Sequence, residues 1–431
     1  QLSGVWVDYG SHRLHPACDQ EILRDLQMLL GSELMDRPRH GRIRLRDRWI
    51  HFPLKPFDMA LRLPLDFSMG VAIDLVRKNL VDEQKTVASE SFASVLETGL
   101  GRTICRQFYF PYAHKIWGLP PDEMSPAQAH RRVSANSFKK MLRKIFATAP
   151  GSKSPGSARF FYPRGGFGQI SRRLYDAAKN TGANFHLTTH VKSIQMNGHV
   201  IDTVCSRAPN GPIVTHRPEY VWSTIPVPSL VQLLRPQAPG SVIEASNKIQ
   251  YRAMILIYLV LRQARFSEYD AHYFPGADIP ITRISEPKNY SDAQEPRSRT
   301  VLCAELPCFT TDPEWKMTDE ELGKLVCNCL EAVAIPVRTP VELVITRRVH
   351  HAYPIYERGY EIYFDQMDKW LSQIKNLLTF GRQGLFVHDN THHALYMAYA
   401  AVDCLDQQGQ FDRGKWHGFY RKIFETHVVE D

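Results

Sequence analysis

Gly384-Leu385-Phe386-Val387-His388-Asp389-Asn390-Thr391 is the stretch on which the reading of the fold depends. The apolar run 384–387 predicts a buried strand, and Asp389-Asn390-Thr391 predicts the start of a helix through Ala394, Met397, Ala400, Ala401 and Leu405. A strand ending in a carboxylate at the start of a small-residue helix is suited to holding a cofactor against a helix N-terminus. Upstream, strand and helix signals alternate. Residues 221–225 read as a strand and 226–234 as a short helix, while 252–261 and 341–349 read as long strands separated by a helix at 319–332. The class is α/β.

Further back, Phe160-Phe161-Tyr162-Pro163 leads into Arg164-Gly165-Gly166-Phe167-Gly168, a helix over 169–180, and a strand over 184–194 that reaches Val191. A glycine-rich turn ahead of a helix can bind an anion through backbone N–H groups, and a plain helix-start turn looks the same; both readings stand. Residues 153–157 predict a surface loop. Residues 59–150 carry helical patterns, with Ser125-Pro126 as N-cap and first helical residue. Asp19 caps a helix bearing Ile22, Leu23, Leu26, Leu29 and Leu30. Residues 44–52 alternate around Trp49 as one half-buried strand. Arg42, Arg44, Arg46 and Arg48 would then share one face of an extended segment, as an anion site or as a solvated edge strand.

With 431 residues, the chain is long enough for two interwoven domains. Hydrophobic residues at 43% and charged residues at 23% exclude a disordered or fibrous chain. The net charge of +8 suits an anionic small-molecule ligand or an acidic membrane surface without choosing between them. Basic residues form no clustered stripe with interleaved aromatics, so nucleic acid is not an expected partner. Eight cysteines without C-x-x-C spacing read as reduced thiols and favour a cytoplasmic location; no H-E-x-x-H or similar spacing supports a metal. The helical region 59–81 mixes apolar faces with Arg62, Arg77 and Lys78. It reads as a buried helical subdomain in preference to a peripheral membrane contact.

Several segments together resemble one flavoprotein family. Tyr9-Gly10-Ser11-His12-Arg13-Leu14-His15 is similar to the segment beside the flavin in UDP-galactopyranose mutases, and Asp8 extends it toward the version in protoporphyrinogen-oxidase-like proteins. Tyr112-Ala113-His114-Lys115-Ile116-Trp117-Gly118, followed by Arg131 and Arg132, resembles a motif of both groups. Tyr353-Pro354-Ile355-Tyr356 and Gly381-Arg382-Gln383-Gly384 complete the set. The chain thus resembles the FAD-dependent amine-oxidase and protoporphyrinogen-oxidase-like flavoproteins, close to the mutases. The resemblance implies a two-domain FAD-binding fold of the Rossmann-like, glutathione-reductase type, with a mixed-sheet substrate domain and a helical subdomain. It implies segments at 1–50, 51–150, 151–225, 226–375 and 376–431. The family's first βαβ unit, with its G-x-G-x-x-G turn, has no counterpart in these residues, which reads as truncation.

The resemblance also implies roles. Gly10, Ser11, His12 and Arg13 would lie beside the cofactor, Val191 would offer it a backbone contact, Asp389 would meet the ribityl and pyrophosphate region, and Met397 would approach the ring. Without the family, Val191 and Met397 read as core residues. His12, Tyr353 and Arg382 are the candidate catalytic residues, the last two suited to a sugar diphosphate if the enzyme were a mutase. The expected activity is hydride transfer from an organic substrate to FAD, with flavin-dependent isomerisation of a nucleotide sugar as the alternative and a non-catalytic relative as the third.

Overall fold

The computed structural model describes residues 1–52, 62–80, 90–132 and 159–426. The predicted loop at 153–157 and part of the helical region 59–150 lie outside them. Two compact units emerge, Gln1–Arg173 with Arg252–Tyr353, and Leu174–Tyr251 with Pro354–Val429. The chain passes between them after 173, 251 and 353.

The first unit is built on a seven-stranded mixed sheet. Its order is Val341–Pro354, Tyr251–Leu261, Thr300–Cys308, Arg283–Ser285, Ala271–Tyr273, Gly41–Leu45 and Arg48–Phe52. Tyr251–Leu261 is apolar at nearly every position because both of its faces are covered, and it pairs antiparallel with Thr300–Cys308 from Ala253↔Cys308 to Leu261↔Thr300. Thr300–Cys308 gave no strand signal in the sequence, since Glu305 and Pro307 interrupt its apolar run. The helix Asp319–Ala332 lies where expected, begun by a reciprocal Thr318/Glu321 cap.

The single strand expected over 44–52 is a hairpin. Arg46 and Asp47 adopt φ of 49° and 63° and form its two-residue turn, so Arg42 faces His51 and Arg44 faces Trp49 across the ladder. The four arginines therefore do not share a face. Arg44 pairs with Asp47 and Asp278, Arg46 with Asp66, and Arg42 stacks between Trp49 and Tyr269 at 4.1 and 4.6 Å. The anion-site reading gives way to a braced hairpin, and the edge-strand reading holds for its second strand, Arg48–Phe52, which lies at the edge of the sheet.

Helices Leu65–Leu80, Phe92–Leu100, Phe110–Trp117 and Pro126–Arg132 cover one side of this unit. Ser91 and Ser94 cap each other, and Ser125 Oγ accepts the Ala127 N–H at 3.3 Å ahead of Pro126. Leu96, Cys105 and Trp117 share a core with Ile43, Leu45 and Ile50. The Lys115 ammonium donates to the Phe274 and Ile281 carbonyls at 2.5 and 3.2 Å, fixing its helix to the chain beside the sheet. Burial lowers its pKa to about 8. The helix Leu65–Leu80 is not wholly buried, contrary to the sequence reading, since Leu65, Met69, Ile73 and Val76 are exposed.

The second unit holds a four-stranded sheet ordered Ile213–His216, Val200–Arg207, His190–Asn197 and Leu234–Arg235, and a parallel pair, Val221–Ser223 with Leu377–Thr379. The strand predicted over 184–194 begins only at His190, so Val191 stands near its start, half-exposed, beside a bulge between Val191 and Ser193. Residues 384–387 are buried as expected but are no strand. Gly381–Gly384 is a short helix and Phe386 has φ of 50°, with Leu385 N–H bonded to Gly381 O and Val387 N–H to Arg382 O. The parallel strand precedes them, at Leu377–Thr379. An apolar run marks burial and leaves the backbone conformation open.

Candidate active site

In the first unit the segment from Asp8 to Arg13 is gripped by buried charges. The Asp8 carboxylate accepts the Tyr162 hydroxyl at 2.5 Å and the Gly168 N–H at 3.3 Å, and its carbonyl accepts the Tyr258 hydroxyl at 2.7 Å. Gly10 has φ of +95°, and a Cβ there would sit 3.2 Å from Glu305 Oε1. That oxygen accepts the Ser11 N–H at 2.8 Å, and the Ser11 hydroxyl bonds the Tyr290 hydroxyl. The Arg13 guanidinium donates to Asp270 at 3.2 Å and to Tyr290 at 3.1 Å, between the rings of Phe160 and Tyr290.

Arg283 and Glu305 meet at 2.8 Å with little exposure. Burial by itself disfavours the Arg283 cation; Glu305 first, then Tyr273, Tyr353 and Tyr112, more than offset this and hold it charged. Tyr353 and His12, both singled out from sequence, therefore lie within electrostatic reach of one arginine that was not. His12 stacks on Phe167 at 5.6 Å, and its Nε2 is 2.8 Å from the Tyr9 carbonyl. Burial lowers its pKa against the opposing pull of Glu305, so the ring is neutral at neutral pH. A carbonyl only accepts, which puts the neutral ring's proton on Nε2 and leaves Nδ1 as an acceptor.

The glycine-rich turn is already occupied by the protein. Gly165 N–H donates to Gln169 Oε1 at 2.8 Å, Gly166 N–H to the Pro163 carbonyl at 3.1 Å, and Gly168 N–H to Asp8. Of the two readings open in the sequence, the structure supports the plain helix-start turn.

In the second unit, Tyr356 fixes the segment that precedes the helix Thr391–Val402. Its hydroxyl donates to the Phe386 carbonyl at 2.9 Å and accepts the His388 N–H at 3.1 Å. Gly384 passes so close to strand Val221–Ser223 that a Cβ would lie 3.0 Å from the Ser223 carbonyl oxygen. Asp389 has a fully buried side chain with His393 Nδ1 3.6 Å away, and the Asn390 N–H donates to the same nitrogen at 3.3 Å. Met397, on the following helix, is fully buried against Leu378, Leu385 and Val387. Arg382 lies in the short helix just upstream and Val191 in the other sheet.

The sequence model of the family described as flavin containing amine oxidoreductase matches residues 1–401. The chain belongs to this family. It is a FAD-dependent enzyme of the oxidoreductase class that the family defines. Its fold is shared with reduced UDP-galactopyranose mutase, at 19% identity and a TM-score of 0.72, over 92% of this chain and 82% of that one. A candidate protoporphyrinogen oxidase from an Exiguobacterium species is similar at 17% identity and a TM-score of 0.67, over 93% and 89%. Cyclohexylamine oxidase from Brevibacterium oxydans is similar at 15% and 0.55, over 90% and 82%. No curated protein matches the sequence.

The residues of this flavoenzyme's second unit fit such a cofactor. A buried carboxylate at a helix start can accept hydrogen bonds from a polyhydroxyl chain, and the helix N-terminus beside it favours a phosphate. Among the described residues no group of His, Cys, Asp and Glu could hold a metal ion, and no helix is long and apolar enough to cross a membrane. Sequence reasoning missed Arg283, Glu305, Asp270 and Tyr290. The one available signal was an acid, Glu305, inside an apolar run.

Proposed function

We propose that this flavoenzyme oxidises an uncharged or cationic organic small molecule and does not rearrange a nucleotide sugar. The supporting observation is the charge balance of the first unit. Arg13 and Arg283 are paired with carboxylates, from Asp270 at 3.2 Å and Glu305 at 2.8 Å. A sugar diphosphate calls for guanidinium groups left over to form paired hydrogen bonds, and these two are already engaged. The expectation of an anionic substrate, drawn from the net charge, gains no support from them.

FAD, when bound, supplies the acceptor for a hydride from a substrate C–H bond. The chain's own groups position and shield. Asp389 would hold the ribityl hydroxyls, the backbone at Val191 would offer one more bond, and Met397 would back the segment by packing. The 10–13 segment, braced by Glu305 and Asp270, would set His12 in place with Nδ1 free of a proton to accept one from substrate, and Tyr353 would line the substrate side with Tyr112 and Tyr273. Arg382 would serve the cofactor's anionic end. Eight free cysteines favour a reducing, cytoplasmic compartment.

The test is anaerobic mixing of the FAD-loaded enzyme with a panel of amines and other donors of hydride beside a heteroatom. Net bleaching of the oxidised flavin supports the proposal. Interconversion of UDP-galactopyranose and UDP-galactofuranose by the pre-reduced enzyme, with no donor in the panel bleaching it, would show the mutase instead.

A further inference from the structure

The helix Leu65–Leu80 presents an apolar stripe to solvent. Leu65, Met69, Ile73 and Val76 are 80%, 60%, 52% and 57% exposed, and steps of four, four and three residues align them along one side. Ala72 is exposed beside them. The opposite side is fixed, with Phe67 buried and Val71 packed on the same core. A Cβ on Gly70 would lie 2.7 Å from Thr103 Oγ1, and the Asp74 carboxylate accepts the Thr103 N–H at 2.7 Å. These contacts set the rotation of the helix, so the stripe faces outward by construction.

Arginines stand at both ends. At the start of the helix, the Arg46–Asp47 hairpin turn brings Arg46 to Asp66, Arg48 to the Arg62 carbonyl at 3.1 Å and Arg62 to the Trp49 carbonyl at 3.0 Å. Arg77 is exposed near the other end. The acids at the first end, Asp47 and Asp66, are already paired with Arg44 and Arg46, whereas among the described residues Arg48 and Arg77 form no ion pair.

We propose that this face docks the protein on an anionic lipid surface. The stripe enters the boundary between headgroups and acyl chains, and the flanking guanidinium groups meet lipid phosphate and carboxylate. Charge complementarity selects this occupant over a second copy of the chain, because the protein carries +8 overall and two copies joined here would bring arginines together. The arginine hairpin and the helix Leu65–Leu80 thereby contribute to one surface.

The experiment is co-sedimentation of the full-length holoenzyme with vesicles of phosphatidylcholine alone and of phosphatidylcholine with phosphatidylserine, at low and high salt. The protein is expected to partition onto the phosphatidylserine vesicles and to leave them as salt rises. Met69→Glu with Ile73→Glu should weaken binding at least about tenfold, and Arg77→Gln about fivefold, with flavin content unchanged. Partition indifferent to phosphatidylserine, or unaltered in both variants, overturns the proposal. So does a solution dimer that the double variant dissolves.

Discussion

Two turns in this protein lead from buried chain into a helix, and both looked in the sequence like places for an anion. At Arg164–Gly168 the glycines give the backbone freedom, yet the Gly165, Gly166 and Gly168 N–H groups are bonded to Gln169, Pro163 and Asp8. At Leu385–Thr391 two glycines, Gly381 and Gly384, lie just upstream, and a buried carboxylate, Asp389, stands at the helix start. The first turn is closed by the protein's own acid and serves to brace the 8–13 segment. In the proposed function the carboxylate of the second would meet a cofactor hydroxyl. Glycine content does not separate them, and neither do the Leu385, Val387, His388 and Asn390 N–H groups of the second turn, which are also bonded within the protein; the buried carboxylate at the helix start does.

The comparison can be broken most forcefully at Asp8. Asp8→Ala strips the buried Tyr162 hydroxyl and the Gly168 N–H of their shared acceptor, and we expect about 3 kcal/mol of destabilisation in urea unfolding. Retention of full stability would mean that the turn does not depend on this acid. At the second turn, Asp389→Asn keeps the shape and removes the charge, and should raise the FAD dissociation constant about tenfold, or about 1.4 kcal/mol. Gly166→Ala probes the first turn more gently. With φ of +85° and a new Cβ 3.2 Å from Asp8 Oδ1, it should cost about 1 to 2 kcal/mol, read as a lower midpoint, with FAD affinity unaltered.

The smallest effect is in the titration of His12, which stacks on Phe167 of the first turn. Its folded pKa is lowered from 6.5, so its contribution to stability is complete above that pH and is lost as pH falls from 6.5 through the folded value. Imidazole NMR should find it titrating below 6.5, and lower still in Glu305→Gln, because the Glu305 charge holds it up. A titration above 6.5 would show that burial is not the dominant influence on this ring.

Local signals carried much of the fold. Helices Gln169–Asn180 and Asp319–Ala332 stood in the apolar spacing and caps, and Tyr251–Leu261 in its unbroken apolar run. The Arg46–Asp47 turn was hidden because it lacks the glycine that usually marks such a hairpin, and the alternation continues across it. The strand Thr300–Cys308 was hidden by Glu305, whose burial makes sense only once Arg283 is beside it. For the candidate site, motif residues such as His12 and Tyr353 were legible. Arg13–Asp270 and Arg283–Glu305 were not, being separated by hundreds of residues or formed between neighbouring strands, where no sequence spacing records them.

The most direct test of the account is the FAD dissociation constant of the full-length protein, measured by flavin fluorescence for the parent, Asp389→Asn and Asp8→Asn. If the turn at Asp389 meets the cofactor and the glycine-rich turn does not, Asp389→Asn binds FAD about tenfold more weakly and Asp8→Asn stays within about twofold of the parent. The reverse order, with Asp8→Asn the weaker binder, would contradict the assignment of the two turns.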